Sequence, residues 1–414
     1  MKHIIGVCLL SLFILSCGST STDDRNQNYE FQFVELKTQA SGEPNLSKTS
    51  NGDLILSWIE YTEDRDHLMM AKWDSGKWTP PMEIASGNNW FVNWADFPSV
   101  VAFGEQDSYL AAHWLQKSAE GTFDYDVRIA TSKDGGTTWS ESFIPHRDGI
   151  PAEHGFVSLL PQPNNRMLAV WLDGRNTKTD QDTKHDSHHH GSGPMTLRSA
   201  EFDVDGHLDY ETLLDARVCD CCQTEAVMTD LGPVIFYRDR SEQEIRDISV
   251  LTRQNGQWSK PQTIHDDQWL IAGCPVNGPA AASLHHQLAV AWFSMPNNDP
   301  QVKVSFSEDG GTSFQQPIRV DAGQPIGRVD ICMTDKNKAI VSWIEETSDG
   351  GKIRLVEVLS TGEINYPYPD IAIDASRQSG FPVLELIQDA LILAWTDVQE
   401  NQVKTATLHA SPKK

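Results

Sequence analysis

A short apolar segment that closes on an aromatic residue recurs seven times along the chain, with 51 to 66 residues between successive aromatics. In each copy a carboxylate or another polar residue follows two places later. A near-constant period of this size is typical of one supersecondary unit repeated side by side, because each unit must bury its faces against its neighbours. The seven copies are Leu54–Trp58, Tyr109–Trp114, Met167–Trp171, Val234–Tyr237, Leu288–Trp292, Ala339–Trp343 and Leu391–Trp395.

Each repeat unit reads as four strands, of which the apolar segment is the second. The third strand alternates apolar and polar residues, which indicates a half-exposed strand. The fourth often starts at an aromatic with proline three residues later, and proline is tolerated on an outer edge strand. The predicted third strands are Leu68–Trp73, Val127–Thr131, Thr196–Ala200, Ile245–Ser249, Val302–Phe306, Ile353–Glu357 and Val403–Thr407. The aromatic and proline pairs are Trp78 with Pro81, Trp258 with Pro261, and Phe314 with Pro317.

The last unit ends after its third strand, and an unassigned strand, Phe31–Leu36, precedes the first unit. Pairing the two completes the last unit and closes the ring, which removes exposed strand edges that would otherwise recruit other chains. We therefore predict an all-β fold: a β-propeller of four-stranded blades, closed by the N-terminal strand, and a monomer. Seven blades are expected, with six as the alternative if one unit is miscounted.

The N-terminal residues resemble an export signal. Lys2 and His3 precede an apolar run, residues 4–14, that is too short to span a membrane. Cys17 follows it in the position of a bacterial lipobox cysteine. We expect residues 1–16 to be a lipoprotein signal peptide, residues 17–30 a tether lipidated at Cys17, and residues 31–410 the propeller. An ordinary signal peptide with an incidental cysteine is the alternative.

The net charge of -25 is spread over the whole chain. Such a charge argues against nucleic acid and against anionic membrane surfaces as partners. The expected membrane contact is therefore the lipid anchor alone, with the domain held outside the cytoplasm on a bacterial membrane.

Two near-copies of one motif stand between predicted third and fourth strands, in blades two and five. They resemble the Asp-box of bacterial neuraminidase repeats, found in sialidases and their relatives. Glycines allow a tight turn, and the Asp and Ser or Thr side chains bond its backbone, so the box is expected to be structural. The residues that carry the resemblance are Ser132, Asp134, Gly136 and Trp139 in one copy, and Ser307, Asp309, Gly311 and Phe314 in the other.

The resemblance implies a sialidase-like propeller whose ligand lies at the face where the first strands begin. Family sialidases hold the substrate carboxylate with arginines, one of them in an Arg-Ile-Pro motif. The corresponding places here read Gly42–Pro44, Asp96–Pro98 and Gly380–Pro382. None carries the arginine, which argues against standard sialidase activity, because a guanidinium fork is hard to replace in carboxylate recognition.

Charged residues at this face are nevertheless candidates for a different site. The catalytic candidates are Asp96, Asp173 and Asp239, and the ligand-binding candidates are Arg175, Arg238, Arg240, Arg328 and Asp330. Paired carboxylates can hydrolyse a glycoside when they are suitably spaced, and arginines can hold an anionic sugar. The alternative is that these groups form Arg–Asp pairs that tie one blade to the next.

Four cysteines converge on the same face, in the connections that lead into blades four and five. In an exported protein they indicate two disulfides, or alternatively a site for copper or zinc, which thiolates favour. A histidine-rich loop after the second strand of blade three supports the interpretation as a metal site. The residues concerned are Cys219, Cys221, Cys222, Cys274, His188, His189 and His190.

Three functional hypotheses follow. The first is a sialidase-like lipoprotein that binds, or hydrolyses as a glycoside hydrolase, an anionic glycan in its central pocket. The second is an extracytoplasmic copper- or zinc-binding propeller that uses the cysteine cluster and the histidine-rich loop. The third is a non-catalytic scaffold that binds other proteins.

Overall fold

The computed structural model describes residues 29–178, 193–321, 323–388 and 390–410. The signal peptide, Cys17 and the histidines at 188, 189 and 190 lie outside this part of the chain, so the predictions made for them remain predictions. Among the described residues, no helix is long and apolar enough to cross a membrane.

The described residues form seven antiparallel sheets arranged as the blades of a β-propeller. The first three sheets contain the strands given next. Blade 1 has β2 (Ser41–Lys48), β3 (Leu54–Tyr61), β4 (Asp66–Asp74), β5 (Lys77–Trp78) and β6 (Met82–Gly87); blade 2 has β7 (Ser99–Phe103), β8 (Tyr109–Lys117) and β9 (Tyr125–Ser132); blade 3 has β10 (His154–Gln162), β11 (Arg166–Asp173), β12 (Thr196–Asp203) and β13 (Thr212–Asp215).

The remaining four sheets follow in chain order, and the first strand of the chain belongs to the last of them. Blade 4 has β14 (Glu225–Thr229), β15 (Gly232–Arg238), β16 (Ile248–Gln254), β17 (Gln257–Trp258) and β18 (Gln262–Thr263); blade 5 has β19 (Ala280–Leu284), β20 (Gln287–Ser294), β21 (Gln301–Ser307) and β22 (Ile318–Arg319); blade 6 has β23 (Pro325–Asp335), β24 (Lys338–Thr347), β25 (Gly350–Leu359), β26 (Ile364–Asn365) and β27 (Ile371–Ile373); blade 7 has β1 (Tyr29–Val34), β28 (Val383–Ile387), β29 (Ala390–Asp397) and β30 (Gln402–Ala410). Single 3₁₀ turns cover Glu105–Asp107, Arg175–Thr177, Pro296–Asn298 and Arg377–Ser379.

Ring closure by the N-terminal strand is confirmed. Strand β1 pairs antiparallel with β30, from Tyr29 opposite Ala410 to Val34 opposite Thr405. The order β1-β30-β29-β28 makes β1 the outer strand of blade 7, so both ends of the described chain are held in one sheet. Seven blades are present, as expected.

All seven apolar segments lie in second strands, and their aromatic residues are buried. In three of the seven repeats, the polar residue two places later accepts a hydrogen bond from the indole N–H. The indole N–H of Trp58 donates to Glu60 at 3.2 Å, and that of Trp171 donates to Asp173 at 2.9 Å. Trp343 donates to Glu345 in the same way, at 2.6 Å. In these three repeats the acceptor is well placed, because a residue two positions on lies on the same face of the strand.

Three details of the prediction were wrong. Blade 2 has three strands, with a single bridge between Ile129 and Phe143 in place of a fourth. In blade 4 the third strand starts at Ile248 rather than Ile245, because the Asp247 carboxylate accepts two backbone N–H groups from another segment, at 2.9 and 3.0 Å. In blade 5 the fourth strand begins after Pro317, since Phe314 closes a turn and contacts Phe236 instead.

The two Asp-boxes have the same hydrogen bonds. In the first, Ser132 Oγ accepts the Gly136 N–H at 2.9 Å, and Asp134 accepts the Thr138 N–H at 2.8 Å and its hydroxyl at 2.6 Å. The second copy repeats these contacts at 2.9, 2.9 and 2.6 Å. Both glycines of each box have positive φ, between 68° and 93°. These hydrogen bonds are the ones that the predicted structural role of the boxes requires.

Candidate functional site

A central channel of about 740 Å³ runs between the inner strands of the seven blades. Strand alternation places the connections into each inner strand, and those between second and third strands, at one end of the ring, which we call the upper face. The Asp-box turns lie at the opposite, lower face. The channel wall includes Lys48, Ser50 and Leu284, which are exposed at the lower ends of their strands.

The upper end of the channel is filled by one segment, Trp94–Phe97, which precedes blade 2. The Trp94 ring lies 4.9 Å from the guanidinium of Arg328 in blade 6, and it stacks at 5.9 Å on Phe381 before blade 7. The side chain of Gln223, before blade 4, donates to the carbonyl of Ala95. Contacts with three distant blades show that this segment, hereafter the plug, crosses the axis. The plug occupies the pocket that the sequence analysis assigned to the ligand.

Four carboxyl groups line the channel, one from the plug itself and three from the walls of other blades: Asp96, Glu225, Asp330 and Glu385. Burial raises the pKa of Asp96 and of Asp330 to about 7. Burial and the charge of Asp330 raise the pKa of Glu225 to about 8. Among the described residues that line the channel, Lys48 is the one cation, and its Nζ lies 3.7 Å from Glu385.

Asp96 and Asp330 also tie neighbouring blades together. Asp96 Oδ1 accepts the backbone N–H of Phe156 at 2.7 Å. Asp330 accepts the N–H of Leu384 at 2.7 Å with one oxygen and that of Ile331 at 2.8 Å with the other. These two predicted candidates therefore lie in the channel wall, with backbone donors already bound.

The predicted arginines are held by partners within the protein. Arg238 is buried and donates to the carbonyl oxygens of Asn277 at 2.9 Å and Phe293 at 2.7 Å. Arg328 donates to the Ser379 hydroxyl at 2.8 Å and to two backbone carbonyls. Arg240 pairs with Asp220 at 3.1 Å and with Glu244 at 2.8 Å.

Arg175 and Asp173 are brought together in a buried cluster on the upper side of blade 3. Arg175 lies 2.6 Å from Asp173, 2.9 Å from Asp148 and 2.9 Å from Glu211. His154 bonds Asp148 at 2.9 Å and stacks on His146, with ring centroids 3.7 Å apart. Burial opposes the charged imidazole, but Asp148 and Asp173 outweigh it and raise the pKa of His154.

Asp239, the third catalytic candidate, lies at the end of β15. Burial and the charge of Asp215 raise the pKa of Asp239 to about 6, and its carboxylate accepts the Ser249 hydroxyl at 3.1 Å. Neither Asp173 nor Asp239 is among the residues that line the channel. The three aspartates therefore do not share one site.

The four predicted cysteines come together on the upper face as free thiols. The Sγ atoms of Cys219, Cys221 and Cys222 all lie within 4.8 Å of one another. Cys274 contacts the Cys221 thiol from the connection between blades 4 and 5. The 3.6 Å between the sulfurs of Cys219 and Cys222 is well beyond a disulfide bond of about 2.05 Å.

Sequence reasoning missed several groups that the fold brings to these sites. Glu225 and Glu385 were not among the predicted candidates, and the position of Trp94–Phe97 across the axis was not predicted. Their role depends on which side of an inner strand faces the axis, and no motif marks it. Arg246, at 3.2 Å from Cys219 Sγ, was hidden within the misplaced third strand of blade 4.

No protein-family model matches the sequence, and no curated protein matches it either. Solved structures do match. The polysaccharide lyase Uly1 has a TM-score of 0.52 at 9% identity, over 95% of this chain and 94% of that one. An α-L-arabinanase from Penicillium chrysogenum gives 0.46 at 12%, over 92% and 98%, and a NanB sialidase variant from Streptococcus pneumoniae gives 0.44 at 12%, over 92% and 70%. The likeness to the lyase shows the fold: this chain is a β-propeller.

Proposed function

We propose that this protein binds a glycan in its central channel and hydrolyses it with carboxyl groups of the channel wall. The observation that carries the proposal is the set of four carboxyls around a space of about 740 Å³. Such a volume is within the range of small-molecule sites, and carboxyl groups both accept hydrogen bonds from sugar hydroxyls and catalyse glycoside hydrolysis. The lyase with a similar fold acts on a polysaccharide, which supports a carbohydrate ligand.

Two of the four carboxyls have environments suited to different roles. Glu225 has a pKa of about 8, so it is protonated at neutral pH and can donate a proton to a leaving group. Burial also raises the pKa of Glu385, but Lys48 opposes this shift and favours the charged carboxylate. We assign Glu225 as the general acid and Glu385 as the base or nucleophile.

The charge of the channel bears on the class of sugar. An anionic glycan, as the sequence suggested, would meet four carboxyls and one lysine that is already paired. The arginines expected to bind its charge each hold protein partners, and removing a paired, buried guanidinium from its acceptors is costly. We therefore propose an uncharged or amino sugar, which enters from the lower face because the plug fills the upper end.

The placement of this activity follows from the N-terminal residues. We propose that the propeller acts outside the cytoplasm, held to the membrane by lipid on Cys17. Mass spectrometry of the membrane-extracted protein tests this placement, since a diacylglyceryl group on the thiol of a new N-terminal Cys17 is expected.

The proposed site is tested by calorimetric binding and hydrolysis assays on neutral, amino and sialylated oligosaccharides. Glu225→Gln is expected to reduce hydrolysis at least 100-fold, and wild-type activity is expected to fall as pH rises above about 8. Glu308→Gln, in the exposed Asp-box of blade 5, is the matched control and is expected to behave as wild type. Hydrolysis that survives Glu225→Gln, or binding of sialylated glycans alone, contradicts the proposal.

A further inference from the structure

The cysteine cluster of the upper face, Cys219, Cys221, Cys222 and Cys274, is separate from the channel carboxyls. Three of these thiols lie on one short segment before blade 4, and the fourth comes from the connection before blade 5. Their sulfurs meet although 52 residues separate Cys222 from Cys274 in the sequence. Folding has therefore brought the thiols of two distant segments into contact.

The distances within the cluster suit a bound ion. A metal–sulfur bond of about 2.3 Å places two thiolate ligands of one ion about 3.8 Å apart in a tetrahedral site. Cys219 and Cys222 are 3.6 Å apart, and Cys221 lies within 4.8 Å of both. Small side-chain rotations would bring three sulfurs to one centre.

Cys219 and Cys222, the two buried thiols, also receive polar donors. Arg246 Nη1 lies 3.2 Å from Cys219 Sγ, and the backbone N–H of Asn277 donates to Cys222 Sγ at 3.4 Å. Donors of this kind orient metal-bound thiolates and offset their charge. Cys332 shows the contrast, because this buried thiol packs among aliphatic side chains such as Ile340 and Leu384.

The site also has a path to solvent. Cys219 and Cys222 are 0% and 2% exposed, whereas Cys221 is half-buried and Cys274 is exposed. An ion can therefore reach the buried sulfurs from the upper face by way of the outer two. A metal site needs such an entry path as well as suitable ligands.

We propose that these four cysteines bind one thiophilic d¹⁰ metal ion, Cu(I) or Zn(II), with Cys219, Cys221 and Cys222 as ligands and Cys274 as the fourth. Soft thiolates select these ions over harder ones. The acidic cluster around His154 is a poorer candidate, because the Arg175 guanidinium already occupies the space between Asp148 and Asp173. The metal site does not depend on the proposed glycan function.

The test uses the full-length chain, reduced and kept free of oxygen, titrated separately with Cu(I) and with Zn(II) against a competing chromophoric chelator. One ion per chain is expected, and Cys221→Ser and Cys274→Ser are each expected to weaken binding at least 100-fold. The titration that gives the tighter binding identifies which of the two ions the site prefers. Substitution with Co(II) adds an independent readout, since thiolate ligation gives a sulfur-to-metal charge-transfer band.

Cys332→Ser is the matched control, since it removes a buried thiol outside the cluster and is expected to leave binding unchanged. Circular dichroism of each variant separates loss of ligand from loss of fold, and the exposed position of Cys274 makes its variant the safer of the two. Binding that is unaffected by the cluster variants overturns the proposal. So does a reduced wild-type protein that binds neither ion, or four cysteines found oxidised as two disulfides that resist reduction in the folded protein.

Discussion

The junction between blades 2 and 3 and the junction between blades 5 and 6 are built alike but from different chemistry. In the first, Asp96 Oδ1 accepts the N–H of Phe156 at 2.7 Å. In the second, Asn277 Oδ1 accepts the N–H of Arg328, also at 2.7 Å. Phe156 and Arg328 share the left-handed backbone, with φ of 53° and 55°, and each follows a glycine.

The two junctions therefore share one geometric requirement. In each, a side chain two residues before a proline supplies an oxygen, and this oxygen accepts a backbone N–H of the next blade. They differ in what else that side chain does. The amide of Asn277 is neutral and also donates to two backbone carbonyls, of Pro275 and Ile326, at 3.2 Å. The carboxyl of Asp96 faces the channel and can ionise. The backbone geometry of the junction thus requires a hydrogen-bond acceptor at this position. The surroundings of the side chain decide whether that acceptor carries a charge.

The largest expected effect comes from filling the space beside these acceptors. A Cβ on Gly327 would lie 2.3 Å from Asn277 Oδ1 at a φ of 94°, so Gly327→Ala combines a clash with backbone strain. A Cβ on Gly155 would lie 2.1 Å from Asp96 Oδ2, without positive φ. We expect losses of about 2–5 kcal/mol for Gly327→Ala and about 1–3 kcal/mol for Gly155→Ala in urea unfolding.

Gly52→Ala is the control for strain without contact. Gly52 has a φ of 83°, and a Cβ there would meet nothing within 4 Å. We expect a loss of about 1 kcal/mol, the cost of the strained backbone alone. If Gly327→Ala costs no more than Gly52→Ala, the close approach of Asn277 is not a constraint and the comparison of the junctions fails.

A smaller effect separates the junctions by charge. Burial raises the pKa of Asp96 to about 7, above an unfolded value of about 3.9. The folded protein therefore holds this proton more tightly, and wild-type stability is lost as pH rises from about 4 to about 7. Asp96→Asn converts the junction to the chemistry of Asn277, so it should stabilise by about 1–3 kcal/mol at pH 8 and have little effect at pH 4.

Denaturant unfolding of both proteins across this pH range measures the difference. Asp64→Asn, at an exposed loop position, is the control and should shift stability by less than about 0.5 kcal/mol at either pH. A stabilisation by Asp96→Asn that is the same at pH 4 and pH 8 would mean that ionisation of Asp96 does not distinguish the two junctions.

The smallest effect concerns the Asp-boxes on the lower face of blades 2 and 5. Asp134→Ala and Asp309→Ala each remove one backbone and two hydroxyl hydrogen bonds at an exposed turn. We expect each to cost about 1–2 kcal/mol, and the two costs to agree within about 0.5 kcal/mol. Thermal unfolding of both variants checks this, and a difference above about 1 kcal/mol would show that the two blades are not energetically equivalent.

Much of the architecture was predictable because it repeats. The apolar second strands, the unpaired strand before the first blade and the two Asp-boxes depend on contacts between near neighbours in sequence or on a period that recurs. Where a blade departs from the period, prediction failed: Asp247 takes donors from a later segment and shifts the start of β16.

The candidate sites were predictable only in part. The sequence predicted which charged residues and cysteines lie at the upper face. It also predicted that the four thiols come close together, because they precede adjacent blades. The partners of Arg238 and Arg328 include backbone carbonyls outside their own blades, for which no residue type gives a signal. The plug depends on Trp94 reaching Arg328, which follows it by more than 200 residues in the chain.

Local periodicity and turn chemistry thus suffice to predict a closed ring of seven blades, with six as the alternative, because strand pairing and Asp-box turns are satisfied within one blade. The lining of the axis is a different matter. Seven inner strands from distant parts of the chain meet at the axis. Their packing decides which carboxyls face the channel, which arginines already have partners, and which segment fills the upper end. Their pKa values follow from the resulting burial, so the chemistry of Glu225, Glu385 and the cysteine cluster exists only once the ring has closed.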